Sequence, residues 1–276
     1  MIVRFISSFL FIMLISLTEV SAQNYDEWVQ RSFVALEADS LSQAEECLKS
    51  ALRLEPANPQ NFMLLTNLGT IQRQLHKPQD ALLSYTSALA IVPKSVSLLL
   101  CRGALYSEME QWNEAVEDYT TILYVQPDHE EALYRRGLIR LEMNDTIQAR
   151  NDFERIVRQN KNSSKGRLGI AALMKAENNY AMAAEMYNQV IKSNPKQASL
   201  YLKRAEVYYL DGKLSKAAGD INKSIEINPD DAYAYLIRGR IRFAQYDKTS
   251  AKRDFLRVKE MGLDEPVVEE WLKKCK

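Results

Sequence analysis

Arginine and aspartate recur in this sequence at one fixed distance, which could build either ion pairs or an anion-binding row. Each aspartate follows its arginine by sixteen residues. A guanidinium and a carboxylate brought together form charge-assisted, often bidentate hydrogen bonds, whereas a row of guanidinium groups alone would suit an anionic ligand. Because every arginine comes with its own carboxylate, the spacing favours structural ion pairs over anion binding. The pairs are Arg102 with Asp118, Arg136 with Asp152, Arg204 with Asp220 and Arg238 with Asp254.

Two other segments lack both partners at the corresponding positions. One has Leu68 with Ser84 and the other has Ile170 with Met186, so the arginine and the aspartate are lost together. Arg31 is the exception, since a cysteine stands where its aspartate would be. The joint loss supports the interpretation as ion pairs.

Side chains that could perform catalysis or hold a metal are few. The three cysteines, Cys47, Cys101 and Cys275, form no CxxC motif, and only His76 and His129 could add imidazole ligands. The chain also lacks the GxSxG, HExxH, GxxxxGK[ST] and GxGxxG patterns that mark common nucleophilic, metal and phosphate sites. The sequence therefore predicts no catalytic residues, no metal and no cofactor, and a chain that is not an enzyme.

The amino-acid composition of the chain argues against some classes of binding partner. The 276 residues carry 36 basic and 36 acidic side chains, so the net charge is zero. Proteins that bind nucleic acid usually need a strong positive field, which this chain lacks. Hydrophobic residues make up 46% of the chain, while only nine glycines and eight prolines are present, which favours a folded, helical protein. We expect no nucleic acid and no small-molecule substrate.

Scarce residue types return with one period. Alanine recurs at intervals of 37 and then 34 residues, proline follows most of these alanines by twelve residues, and glycine or alanine precedes most of them by twelve. The alanines are Ala44, Ala81, Ala115, Ala149, Ala183, Ala217 and Ala251; the prolines are Pro56, Pro93, Pro127, Pro195 and Pro229; the glycines are Gly69, Gly103, Gly137 and Gly239. A period of this length indicates a stack of repeated helical units.

This residue order resembles the tetratricopeptide repeat, whose pattern places a large residue, a small one and an aromatic before the alanine, then an aromatic and a proline. The resemblance implies an all-α fold, a right-handed superhelical solenoid of antiparallel helix pairs. It covers residues 23–265 as seven repeats, namely 25–58, 62–95, 96–129, 130–163, 164–197, 198–231 and 232–265. Residues 266–276 are expected to form a C-terminal capping helix, with Val267 and Trp271 covering the last repeat.

The repeat at 164–197 departs most from the pattern. It has Lys161 where most repeats have proline and Ala171 where most have glycine. Two interpretations stay open, a hinge at 158–166 and simple divergence of one repeat.

In this family the first helix of each repeat lines a concave groove that binds peptide segments. Transferred position by position, the resemblance implies a groove that is apolar and aromatic from the third repeat onward. Exposed apolar stretches usually mark a partner site. The alternative is that these side chains fill the interior of a tight solenoid. The implied contact residues are Leu100, Tyr134, Leu138, Leu141, Leu202, Tyr209, Tyr233, Leu236, Arg240 and Phe243.

The function implied is a protein-protein interaction scaffold or adaptor that binds a peptide or helix of a partner protein. The alternative is an accessory protein that contacts glycan or envelope polymer, through Tyr134, Tyr209 and Tyr233, in a polysaccharide-processing assembly. The two differ in whether a protein or a sugar occupies the groove.

Residues 1–22 have the pattern of a secretory signal peptide. Arg4 supplies the positive charge, residues 9–17 form an apolar run, and residues 20–22 supply small side chains before a cleavage site after Ala22. An uncleaved membrane anchor is the alternative. We therefore expect export to the periplasm or the extracellular space, or to the secretory lumen in a eukaryote, with no membrane span after cleavage.

Overall fold

The computed structural model describes residues 24–263 and 266–275, so the expected signal peptide and Lys276 lie outside the described residues. The described chain is helical from 24 to 37, which we call α1, and then in fourteen further segments. These are α2 (Leu41–Leu54), α3 (Asn61–Gln74), α4 (Pro78–Ile91), α5 (Val96–Glu108), α6 (Trp112–Val125), α7 (Glu130–Glu142), α8 (Thr146–Gln159), α9 (Ser164–Ala176), α10 (Tyr180–Ser193), α11 (Ala198–Leu210), α12 (Leu214–Ile227), α13 (Ala232–Ala244), α14 (Lys248–Glu260) and α15 (Pro266–Lys274).

Consecutive helices pack in pairs, and the fold is a solenoid of helix pairs. In residues 24–263 and 266–275 there is no β-strand. The chain divides into two compact units, one up to Ala132 and one from Leu133, and the division falls inside α7. In the N-terminal unit α3 packs against α4 and α5 against α6. In the C-terminal unit the pairs are α9 with α10, α11 with α12 and α13 with α14, while α15 packs on α14.

One residue per repeat turns the chain between the two helices of a pair. Each of these residues has a positive φ, between 54° and 70°. Only Gly212 is a glycine, the residue type that adopts this conformation without steric cost. The other turns use non-glycine residues, namely Asp39, His76, Glu110, Asn144, Asn178 and Tyr246.

In four of the helix pairs, a glycine on the first helix lies against an aromatic ring on the second helix. A Cβ on Gly69 would lie 2.7 Å from the ring of Tyr85, and a Cβ on Gly239 would lie 2.5 Å from the ring of Phe255. Both distances are shorter than van der Waals contact allows, so the ring occupies the space that the glycine leaves.

In the repeat at 164–197, the close contact between a glycine and an aromatic ring is made in a different place. The ring of Phe153, which is fully buried, lies against Gly137 of its own pair and against Gly169 of the following helix. The sequence pattern places Ala171 at the glycine position and misses Gly169, two residues earlier. Close approach is therefore made here between one repeat and the next, through a ring that both share.

The last helix, α15, occupies the place of the first helix of an eighth repeat. It begins 34 residues after α13 begins. Val268 is buried, and the indole of Trp271 stacks on Phe255 at 5.7 Å and meets Phe243 edge-on at 5.3 Å. The expectation for Val267 is wrong, because Val267 is exposed and its neighbour Val268 faces the core. A rotation of one residue, about 100° around a helix, separates the two.

Candidate functional site

The structure places each arginine of the sixteen-residue spacing against its aspartate. The Nη2 atom of Arg102 lies 2.7 Å from Asp118, and the Nε atom lies 2.9 Å from the other carboxylate oxygen. The same two-point contact joins Arg204 to Asp220 at 2.6 and 2.7 Å. Arg136 with Asp152 and Arg238 with Asp254 repeat it, and all four aspartates are buried. Each pair bonds the first helix of a repeat to the second.

A third contact, which the sequence pattern did not reveal, ties this arginine to the preceding repeat. The Nη1 of Arg204 donates to Asn188 at 2.6 Å, and that of Arg102 donates to Thr86 at 3.3 Å. Both acceptors lie on the second helix of the repeat before, sixteen residues upstream of the arginine. Arg238 repeats the contact with Asn222 at 3.5 Å. The guanidinium therefore links three helices, and a polar residue sixteen positions upstream is the signal that could have predicted it.

The residue four positions after the arginine takes one of two roles. In two repeats it is a second arginine, and Arg140 donates to Asp152 at 2.6 Å while Arg242 donates to Asp254 at 2.8 Å. In the other two repeats it is a tyrosine whose ring covers the guanidinium, as Tyr208 does for Arg204 at 5.9 Å. Tyr106 stands in the same relation to Arg102 at 5.7 Å. Asp152 and Asp254 thus receive two cations each, whereas Asp118 and Asp220 receive one.

Burial opposes the Arg102–Asp118 pair even though its geometry is good. Burial raises the pKa of Asp118, although the hydrogen bonds from Arg102 act in the opposite direction. The same hydrogen bonds raise the pKa of Arg102. The burial cost of the carboxylate is therefore not fully offset, as is common for buried ion pairs. With their donors directed to protein oxygens, these guanidinium groups are poorly placed to bind an anionic ligand.

The first helices of the C-terminal unit carry most of the implied groove residues. Tyr134, Leu138 and Leu141 on α7 are partly buried and pack beside one hydrophobic cluster. On α13, Tyr233 is 43% exposed, and Phe243 is partly buried. We call this surface the first-helix face of the C-terminal unit. It presents apolar and aromatic atoms that are neither fully buried nor fully open.

Two implied groove residues are corrected by the structure. Leu202 is 8% exposed and Leu236 is 4% exposed, so both belong to the core. Leu202 packs with Ala205 and Ile221, and Leu236 packs with Phe255 and Val258, in the close-packed clusters of their repeats. Leu100, on α5 of the N-terminal unit, is partly buried.

Arg240 is held between two aromatic rings. Its guanidinium lies 5.3 Å from the ring of Tyr209 and 5.8 Å from the ring of Trp271. Its Nε atom is buried and makes no hydrogen bond to a described residue. On the same face, Lys175 pairs with Glu206 at 3.1 Å. Stacking on the two rings therefore sets the position of the positive charge of Arg240.

The first helices of the N-terminal unit are more polar. Arg73 on α3 pairs with Glu108 on α5 through two contacts, and its Nε lies 2.7 Å from the carboxylate. The hydroxyl groups of Thr70 and Tyr85 lie 3.1 Å apart. The two units thus present different chemistry on the same side of the repeat.

Other kinds of site are not formed by the described residues. No group of three or more His, Cys, Asp or Glu side chains in them is placed to hold a metal ion. In the same part of the chain, each helix is too short or too polar to cross a lipid bilayer.

Comparison with known proteins identifies the family. Tetratricopeptide repeat models match residues 131–163 and 171–232. The crystal structure of a tetratricopeptide repeat protein from Parabacteroides merdae ATCC 43184 is 41% identical in sequence, with a TM-score of 0.84 over 92% of this chain and 99% of that chain. This chain belongs to the tetratricopeptide repeat family.

More distant structures share the fold of this tetratricopeptide repeat chain. The type IV pilus biogenesis factor PilW is 16% identical, with a TM-score of 0.64 over 77% of this chain and 97% of its own. PilF of Pseudomonas aeruginosa is 20% identical, with a TM-score of 0.57 over 80% and 98%. The comparison with curated proteins found no match.

Membership in the tetratricopeptide repeat family indicates a protein-protein interaction scaffold. Proteins of this family are generally non-catalytic and bind protein or peptide partners. The fold itself explains this role, because a stack of helix pairs presents a long surface in which neighbouring repeats supply successive contacts.

Proposed function

We propose that this protein is an exported scaffold, without catalytic activity, that binds a peptide or helix of a partner protein on the first-helix face of its C-terminal unit. The observation that carries the proposal is the row of partly exposed apolar and aromatic groups from Tyr134 to Phe243. Large aromatic side chains and arginine are the residues that dominate binding energy at protein interfaces. The occupied groove would bury this row against an apolar segment of the partner.

The orientation of the rings favours a protein over a sugar. A ring that stacks on a sugar needs an open face, and the ring of Tyr209 is covered by Arg240. Tyr134 is partly buried and lies 6.3 Å from Phe153, tilted by 54°. Of the three tyrosines assigned to glycan contact, Tyr233 alone is more than one third exposed. An apolar side chain of a bound peptide can pack against the exposed edges of these partly covered rings.

Site-specific photo-crosslinking tests this proposal. A benzophenone amino acid replaces Tyr233 on the first-helix face, and in a matched variant it replaces Tyr246, which is exposed in the turn before α14. After irradiation of cells that produce the protein, we expect a discrete protein adduct from position 233 and none from position 246. Equal adducts from both positions, or an adduct with glycan in place of protein, would contradict the proposal.

Export depends on the first segment and has its own test. We expect N-terminal sequencing of the protein from the envelope or secreted fraction to begin at Gln23. A chain that retains residues 1–22 in the membrane fraction would instead support the anchor.

A further inference from the structure

The N-terminal end of the N-terminal unit has an open crevice between α1 and α2. It measures about 640 Å³ and is lined by Trp28, Arg31 and Val34 of α1, by Ala38 directly after α1, and by Glu46 and Cys47 of α2. Val34 is 65% exposed, and Trp28, Ala35 and Ala38 line the same crevice. We call this surface the N-terminal end face.

The equivalent crevices inside the solenoid are smaller. The one beside Leu68 and Ser84 measures about 290 Å³, and the one beside Arg102 and Asp118 measures about 180 Å³. Inside the solenoid, the second helix of the preceding repeat packs on the first helix of the next. At the N-terminal end face the crevice has more than twice this volume, which is the shape expected where no described helix precedes the first helix of a repeat.

Arg31 shows what that helix would supply. It stands in the register of Arg102 and Arg204, whose Nη1 atoms bond to Thr86 and Asn188 on the preceding second helix. The guanidinium of Arg31 instead lies over the ring of Trp28 at 4.8 Å and bonds to Glu27 at 2.6 Å, in the same helix and in solvent. A helix in the preceding position would bring an amide or hydroxyl oxygen to Arg31.

The negative charge of the N-terminal repeat indicates the charge of the partner that would bind there. Residues 24–58 carry seven acidic and three basic side chains, a net charge of −4 in a chain whose total is zero. Glu27 and Glu46 lie at the rim of the crevice. A second copy docked through the same face would place like charges together, whereas a basic helix would be attracted.

We propose that the N-terminal end face binds an amphipathic, basic α-helix of a partner protein, which lies where the second helix of a preceding repeat would lie. The apolar stripe of the helix covers Trp28 and Val34, an asparagine or threonine on it accepts from Arg31, and its lysines or arginines face Glu27 and Glu46. This surface shares no residue with the first-helix face of the C-terminal unit.

Fluorescence anisotropy with two matched peptides tests the proposal. Both copy residues 214–227, the second helix that carries Asn222, and both are stapled on the outer face because isolated helices of this length are unstable. The basic peptide has Asp220→Lys and Glu226→Lys, and the acidic peptide has Lys216→Glu and Lys223→Glu. We expect the purified protein to bind the basic peptide at least about tenfold more tightly than the acidic one, with affinity that falls as salt rises.

Protein variants locate the site. Val34→Lys places a charge on the N-terminal end face and should weaken binding of the basic peptide by at least about tenfold. Leu83→Lys, at a residue of α4 that is 68% exposed, is the matched control and should leave binding unchanged. Equal affinity for both peptides, no saturable binding, or full binding by Val34→Lys would overturn the proposal.

Two other occupants give distinct results. Sedimentation velocity that detects a concentration-dependent dimer, abolished by Val34→Lys, would assign the face to a second copy. Binding that begins only when residues 1–22 are removed would assign it to the first segment of this chain. Either result would overturn the assignment to a partner helix.

Discussion

The stability that each buried aspartate contributes depends on how many arginines bond to it. Asp152 accepts from Arg136 and Arg140, whereas Asp220 is reached by Arg204 with Tyr208 over its guanidinium. Removal of one partner of a buried pair leaves the other charge uncompensated, while replacement of both by apolar residues is often neutral. The cost of losing one arginine should therefore differ between these two repeats.

The Arg204 pair should show the full cost of an isolated carboxylate. We expect Arg204→Met to destabilise the protein by about 3 kcal/mol, and the double change with Asp220→Leu to recover most of that loss. Arg136→Met should cost less than Arg204→Met, because Arg140 still reaches Asp152. Urea unfolding followed by circular dichroism measures all three. Equal losses for the single and double changes at Arg204 would refute this account.

Glu45 gives the N-terminal unit a dependence on acid. Burial alone would raise the pKa of Glu45, but hydrogen bonds from Lys49, Lys77 and Gln72 outweigh burial and lower the pKa to about 2. Since the folded pKa lies below the ordinary value of 4.5, the stabilisation from Glu45 is present above about pH 4.5 and is lost as the pH falls towards 2.

Replacement of Glu45 should flatten this dependence. We expect Glu45→Gln to be less stable than the wild type at neutral pH and to lose less stability between pH 4.5 and 2. Thermal melts across that range measure the difference. Glu46→Gln, an exposed neighbour on α2, is the control and should follow the wild-type curve.

At the scale of helices and turns, glycine has opposite effects on stability at two positions of one repeat. Gly212 has a φ of 70° in the turn before α12, and Gly219 lies exposed within α12 with no atom within 4 Å of an added Cβ. Glycine relieves strain in the first position and weakens the helix in the second. Because an added Cβ would meet no neighbouring atom at either site, only the backbone conformation makes the two glycines differ in their effect on stability.

Alanine at these two glycines should therefore change stability in opposite directions. We expect Gly212→Ala to destabilise the protein by about 1 kcal/mol, because the left-handed conformation is costly for a residue with a Cβ. We expect Gly219→Ala to stabilise it by about 0.5–1 kcal/mol through helix propensity. Denaturant midpoints of the two variants give the signs directly, and a shared sign would show that packing decides instead.

At the scale of the whole molecule, α15 packs on the last repeat of the C-terminal unit. Lys273 stands 34 residues after Gly239, so a long side chain occupies the position at which a further second helix would need close approach. A terminal element with a polar outer face is required for a soluble repeat protein. The N-terminal end face has no such closure among the described residues, which is why the partner helix is placed there.

Loss of the packing of α15 should destabilise only the neighbouring helices. Trp271→Ala removes an indole that packs on Phe255 and Phe243, and we expect a loss of about 3 kcal/mol in the C-terminal unit. Repeats contact only their neighbours, so hydrogen exchange should rise in α13 to α15 and stay unchanged in α2 to α4. A uniform rise along the chain would contradict local coupling.

The sequence by itself determined the family, the fold class and the period of the repeats, because packing of one helix pair on the next requires small and aromatic residues at fixed intervals. It also predicted which arginine faces which aspartate, since both positions follow from that period. The tertiary structure decided what the period cannot express. Phe153 is shared between Gly137 and Gly169, Leu202 and Leu236 are core, and Val268 rather than Val267 is buried. These outcomes depend on the rotation of one helix against its neighbours, which a linear pattern does not contain.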